Sequence, residues 1–440
     1  MTPVRAPLST AAILVAAAAS MAGCSRPPEE PARPSGVVAS TVRLGVDGAD
    51  NRAPSIAASG LRVVVTWAAT VEDQTNVYAA TSHDGGTTFT PPVRVNDLDG
   101  DVRVSGEQPP VAAIGKDVVV AWESKVGDRS RVRMARSRDE GRTFQPATTI
   151  HDEGLAGARG WASLTLDADG AAHLAWLDGR DAHSGASSGL SASGVHAEHE
   201  SMRQDIFHAV VRPDASRVEV RVATNVCFCC KTSVATGPDG STYVAWRHLY
   251  PANLRDIVVA RSADGGKTFG ALVRVSEDHW QVNGCPEDGP SMVVDASGVV
   301  HIAWPTVTQG DAARKEVFYS FSSDSGRTFA PRMQVSAEGD GSAAHPRMTS
   351  VGSRVAIVWD ESLSEGNQVR VREIRTRPGA VGWMPEMAES MTLSSSERGR
   401  YPSVAPATTG IVVAWESSTA GGSSVVVSRV GQLARADLGH

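Results

Sequence analysis

The chain has 440 residues, of which 41% are hydrophobic and 21% charged, a balance that excludes both a disordered protein and a chain made mainly of membrane spans. The formal net charge of −7 excludes a general polyanion binder, because neutralising phosphates needs a basic face, so no nucleic acid is expected as a partner. Glycines number 42 against 10 Trp, 5 Tyr and 8 Phe, which fits a turn-rich β protein better than a helical bundle.

Residues 1–23 read as a signal peptide: Arg5 precedes an apolar stretch from Ala11 to Ala19, too short for the ~20 apolar residues of a membrane span. Met21-Ala22-Gly23-Cys24 resembles the lipobox of bacterial lipoproteins, which implies cleavage before Cys24 and its lipidation. Ser25, where Asp would often mark inner-membrane retention, points to a lipid anchor in the outer membrane of the cell envelope, on its periplasmic or surface face. Residues 24–36 are rich in Pro and charge and read as an extended tether.

From residue 37 to 432 one pattern recurs seven times: a Pro-Ser-like start, a short apolar run, a turn, and an alternating run ending in Trp. The marker tryptophans are Trp67, Trp122, Trp176, Trp246, Trp304, Trp359 and Trp415, spaced by 55, 54, 70, 58, 55 and 56 residues. A second alternating run follows each Trp, and four of these lead into Ser-x-Asp-x-Gly-x-Thr-Phe, at Ser82–Phe89, Ser137–Phe144, Ser262–Phe269 and Ser322–Phe329. Asp can accept bonds from the amides ahead of it and Gly supplies a positive φ, so each copy is expected to form a tight turn. The motif resembles the Asp box, or BNR repeat, of the sialidase-like β-propellers. That resemblance implies an all-β propeller of four-stranded antiparallel blades: seven from the Trp count, with six, the number in catalytic sialidases, as the alternative. Thr41–Val46 is expected to complete the last blade beside Val425–Val430, and residues 433–440 form a C-terminal tail.

In a propeller the functional face is built by the loops leading into each innermost strand and those joining second to third strands. Here they present a densely charged mouth that suits a polar or anionic ligand, a glycan or an envelope protein. The family holds a substrate carboxylate with three arginines and attacks with Tyr, with an Asp as acid/base. By resemblance Arg52 in Arg-x-Pro is the first of those arginines, Tyr401 the nucleophile and Asp73 the acid/base, with Arg247 in the catalytic set. Arg159, Arg180, Lys231, Asp288, Arg347 and Arg400 are further ligand-binding candidates. An exo-α-sialidase-type glycoside hydrolase is thus the alternative to a binding propeller. The insertion from Leu177 to Asp205 carries His196-x-x-His199, a weak metal-ligand spacing.

Apart from Cys24, the cysteines are Cys227, Cys229, Cys230 and Cys285, placed before the fourth and fifth innermost strands. An exported chain with four clustered cysteines is expected to pair them as two disulfides. A thiolate metal site formed by the same four is the alternative, and would make the chain a metal-handling or complex-assembly protein. No motif calls for a cofactor, and a monomer is expected.

Overall fold

The computed structural model describes residues 1–2, 38–106, 108–127, 129–154, 157–180, 204–227, 229–282, 288–307, 314–336, 341–375, 385–394, 398–419 and 422–431. Cys24, Cys285, His196 and His199 lie outside them. Among the described residues the chain is all β, with one 3₁₀ turn at Pro251–Asn253, and no helix is long and apolar enough to cross a membrane.

Seven antiparallel blades follow one another around a ring. Blade 1 is typical, with Asp50–Ser59, Arg62–Val71, Gln74–Ser82 and the short outer strand Val93–Arg94 paired in that order. The innermost strands of blades 2 to 7 are Val111–Ile114, Arg159–Leu166, Ser233–Thr236, Ser291–Val294, Ser342–Val351 and Arg398–Ala407. Blade 7 takes its outer strand from the opposite end of the chain, Val38–Leu44, which pairs antiparallel with Gly422–Val430 from Val38↔Val430 to Leu44↔Val425. The expected ring closure is therefore found. Blade 3 lacks an Asp box, and its chain instead turns at Arg212–Ser216 into a ten-residue outer strand, Arg217–Val226.

The Trp period has a packing cause. Each marker Trp is buried in a different apolar cluster, and the seven clusters lie between successive blades: Trp67 between blades 7 and 1, Trp122 between 1 and 2, and so on to Trp415 between 6 and 7. One large ring per interface fills the wedge that two twisted sheets leave between them.

The Pro-Ser starts have a second cause. Ser403 Oγ accepts from Ile56 N at 3.1 Å, Ser55 Oγ from Ala112 N at 3.3 Å, Ser233 Oγ from Met292 N at 3.0 Å and Ser291 Oγ from Met348 N at 3.1 Å. Each hydroxyl thus receives an amide of the next blade's innermost strand, an amide that sheet pairing leaves over at the axis.

The Asp boxes close the far rim. In the first, Asp84 Oδ1 accepts from Ser82 Oγ at 2.8 Å and Thr88 N at 2.9 Å, while Ser82 Oγ accepts from Gly86 N at 2.8 Å. The Thr88 hydroxyl, donating to Asp84 Oδ2 at 2.7 Å, and these other donors hold the Asp84 carboxyl well below its ordinary range, as equivalent donors do in the other boxes, where Asp139 lies at about 2. The box glycine has φ 88° at Gly86 and 87° at Gly141, and its missing side chain faces the preceding blade: Val412 for Gly86 and Thr81 for Gly141.

Candidate functional site

On the face opposite the Asp boxes, four innermost strands begin with the same distortion. Ala53, Trp161, His345 and Tyr401 have φ of 52°, 58°, 53° and 51°, each inside a bulge where the strand register slips. Left-handed backbone at non-glycine residues costs ~1–3 kcal/mol each and needs surroundings that enforce it.

Carboxylates supply that enforcement in three of the four. Ala53 N donates to Glu416 Oε2 at 3.2 Å, His345 N to Asp288 Oδ2 at 2.6 Å and Tyr401 N to Asp360 Oδ2 at 2.7 Å. Each acid belongs to the preceding blade or its loop, so the bulged amide of one blade is satisfied by its neighbour. Burial raises the Glu416 carboxyl against the pull of the Ala53 amide and Arg52. For Asp288, burial is outweighed by Lys231, His345 and Lys315, and its carboxyl is held well below the ordinary range. Much of the acidic mouth seen in the sequence is thus consumed as backbone caps.

Two of the bulged residues, His345 and Tyr401, line a small pocket at the axis together with Pro54, Gly106, Pro109, Lys231, Arg347 and Pro402. His345 Nδ1 lies 2.8 Å from Asp360 Oδ2, the same oxygen that caps Tyr401, and the His345 and Tyr401 rings are 4.6 Å apart. Arg400 lies over the other aromatic contact, 4.9 Å from the Tyr401 ring centre. Lys231 is buried, 3.2 Å from Asp288 Oδ1, and donates to Pro346 O at 3.3 Å. The Tyr401 ring is seated directly on Gly106, where any side chain would collide with it. Further along the same strands Ile56–Ala58, Ala112–Ile114, Leu164–Leu166 and Val404–Pro406 line a second, open space.

Of the residues expected at the site, Lys231, Arg347 and Tyr401 line the pocket and Asp288 stands behind Lys231. Arg400 lies against the Tyr401 ring, and the remaining candidates do not converge there. Arg52 is exposed and paired with Asp50 at 2.5 Å. Asp73 occupies the exposed turn between the second and third strands of blade 1. Arg159 and Arg180 both bind Asp178 Oδ2, at 3.3 and 2.5 Å, and Arg180 also reaches Glu219 Oε1 at 2.5 Å. Burial would raise the Asp178 carboxyl, but Arg180, Trp176 and Arg159 prevail and lower it, so these arginines serve the core of blade 3. Arg247 is fully buried, donating to Pro305 O at 2.6 Å and lying 4.7 Å from the Trp280 ring centre. The three-arginine clamp is therefore not assembled from Arg52, Arg159 and Arg247. His345 and Asp360 were missed as a pair, and the available signal was the Pro after His345, which repeats the Arg-Ala-Pro and Arg-Tyr-Pro pattern of blades 1 and 7.

The cysteines meet beside Lys231, but no disulfide joins Cys227, Cys229 and Cys230. All three are buried, their sulfurs lie within 4.8 Å of one another, and Cys227 Sγ and Cys230 Sγ are 2.9 Å apart. Burial disfavours a Cys227 thiolate, yet the thiols of Cys229 and Cys230, together with Arg255, pull its pKa well down. Donation to Cys227 correspondingly pushes Cys229 up.

Comparison with known proteins places the fold. No family profile and no characterised relative matches the chain. Among solved structures it is similar to a polysaccharide lyase described as a PL25 ulvan lyase, at 11% identity and TM-score 0.54, covering 89% of this chain and 96% of that one. A Dyadobacter fermentans protein of unknown function matches at 14% identity and TM-score 0.52, covering 91% of this chain and 100% of that one. The Hadza microbial sialidase Hz136 matches at 15% identity and TM-score 0.47, over 70% of this chain and 63% of that one. In fold, the chain is a seven-bladed β-propeller of four-stranded antiparallel blades. At these identities the likeness is one of architecture.

Proposed function

We propose that the protein binds an acidic carbohydrate in the funnel, with Lys231 and Arg347 facing its anionic group and the His345–Tyr401 pair lying against the sugar ring. The observation that carries this reading is the joint presence of two cations and two contacting rings in one pocket at the propeller axis. Guanidinium and ammonium groups pair with carboxylates or sulfates, and an aromatic ring offers an apolar face with a polar edge. The similar structures support it: one is an ulvan lyase bound to -[GlcA(1-4)Rha3S]-, an acidic saccharide, at TM-score 0.52.

A second reading adds proton transfer. Asp360 holds His345 Nδ1 and leaves Nε2 on the opposite side of the ring, the arrangement by which a carboxylate orients an imidazole base. With a cation on the neighbouring carboxylate and Tyr401 as partner acid, this set suits abstraction of a proton next to a uronate carboxylate. Sialidase chemistry is less well supported, because its arginine clamp lacks three members at the pocket.

Calorimetry with glucuronate-containing, sulfated, sialylated and neutral oligosaccharides tests the proposal. Acidic ligands are expected to bind, with a loss of about 10-fold or more in Lys231→Ala and Arg347→Ala, each removing a charge-assisted contact. Equal binding of neutral and acidic sugars would overturn it. Release of an unsaturated uronate, abolished in His345→Ala, would establish the second reading. We further propose that the protein is a lipid-anchored envelope protein; acylation lost in Cys24→Ser is the corresponding test.

A further inference from the structure

We propose that Cys227, Cys229 and Cys230 form a three-sulfur binding site for a soft monovalent metal ion, Cu(I), in the loop that carries Lys231 into the funnel. The donor set argues for softness. Three sulfurs from one short segment lie within 4.8 Å of one another, and among the described residues no carboxylate or imidazole joins the group. Hard ions require oxygen ligands, and structural Zn(II) sites are almost always closed by four donors, whereas thiolates select Cu(I).

The surroundings argue for a negatively charged cluster. Arg255 is fully buried and its Nη1 donates to Cys227 Sγ at 2.9 Å. Arg247 is also fully buried, its carbonyl accepts from Cys227 N at 3.3 Å, and its Nε and Nη1 have no hydrogen-bond partner. A guanidinium enclosed in this way is costly unless negative charge lies nearby. Three thiolates around one Cu(I) carry two negative charges, and the Arg255 guanidinium on Cys227 Sγ and the buried Arg247 beside the loop are placed to balance them. Trp161 packs against the sulfurs and adds an apolar wall.

The Cys227-x-x-Cys230 spacing also occurs in dithiol oxidoreductases, which need an exposed attacking sulfur. Here the sulfur-bearing residues are 1%, 5% and 1% exposed, closed to a protein thiol. Binding involves no electron transfer: the ion arrives as Cu(I), the thiol protons leave to water, and three Cu–S bonds form. Spanning the ion requires the Cys227 and Cys230 sulfurs to part from 2.9 Å, a movement of side-chain torsions. Because Lys231 follows Cys230 directly, an occupied site fixes the loop that presents this cation to the pocket. The inference does not depend on the identity of the funnel ligand.

The experiment is a competition titration of the full-length, reduced protein with Cu(I) against bathocuproine disulfonate, together with X-ray absorption at the copper edge. One retained copper per chain with a shell of three sulfurs is expected, unchanged in Cys24→Ser. Cys227→Ser/Cys229→Ser/Cys230→Ser should weaken retention by about 100-fold or more, and Arg247→Gln by about 10-fold, the range seen when groups surrounding a metal's ligands are altered. If the triple variant does not fold, the sulfur shell of the unmodified protein still decides. Copper lost entirely to the competitor, a four-sulfur shell that becomes three in Cys285→Ser, preferential retention of Zn(II), or undiminished binding in a folded triple variant would each overturn the proposal.

Discussion

Tyr401 shows how much of the pocket rests on single positions. Its left-handed backbone is held by Asp360, its ring by His345 on one side and Gly106 on the other. Glycine at 106 is required for close approach, because a methyl group there would occupy the space of the phenol ring. Gly106→Ala is therefore expected to displace Tyr401 and weaken ligand binding by about 10-fold while moving the unfolding temperature by only a few degrees, since the loop is at the surface of the ring. Calorimetry and thermal melts on the same preparation check this; unchanged affinity would show that Tyr401 does not contact the ligand. These partnerships were not legible in the sequence. Asp288 and His345 are 57 positions apart and Ala53 and Glu416 are 363 apart, and no local pattern announces which loop acid caps which bulge. Asp288 reads as a ligand group in the sequence, and its backbone partner shows it to be one of these caps.

At the scale of the element, the Asp box acts in two ways at once, as a turn and as a spacer against the preceding blade. Two glycines separate these effects. Gly240 has φ 77° with nothing near its missing side chain, whereas Gly141 has φ 87° and faces Thr81 Oγ1 too closely for a methyl group. Gly240→Ala carries only the left-handed strain, about 1 kcal/mol, and Gly141→Ala adds an overpacked interface, for about 2–4 kcal/mol in all. Urea unfolding of both variants measures the difference, and equal midpoints would mean that the box does not bear on its neighbour. The blade pattern itself was legible because it is local and repeated: alternating runs, turn glycines and one Trp per wedge all lie within ~55 residues. No disulfide joins the three described cysteines, and Cys285, the fourth member of the expected pairing, lies outside the described residues. Proximity of Cys227, Cys229 and Cys230 was readable, but Arg247 and Arg255, which set the charge around the sulfurs, come from the adjoining strands.

For the whole molecule, buried histidines between blades should make the ring acid-sensitive. His151 lies between blades 2 and 3, accepting from Val132 N at 3.2 Å through Nε2, and burial lowers its pKa to about 4. His208, buried between blades 3 and 4, falls to about 3 for the same reason. An unfolded chain protonates both near pH 6.5, so it takes up protons that the native state refuses. Stability is complete above that pH and is lost as pH falls from about 6.5 toward 4, by roughly 3 kcal/mol for His151 alone. Below about pH 4 the Asp-box carboxylates add a second limb, since Asp139 and Asp324 stay ionised down to about 2 in the fold. Urea midpoints across pH 7 to 4 should fall, and His151→Gln should flatten that fall. A flat profile for the unaltered protein would contradict the burial of neutral imidazole.

The pairing of Val38 with Val430 means that the two ends of the folded chain arrive side by side at one seam. The ring therefore has no structural need to be cut where it is cut. A short linker joining those ends, with new termini opened in the exposed turn at Glu72–Asp73, should give a circular permutant that folds to the same propeller, with the seam moved to blade 1. Removing residues 38–44 without such rejoining should instead leave Gly422–Val430 as an open edge, and light scattering should then report self-association.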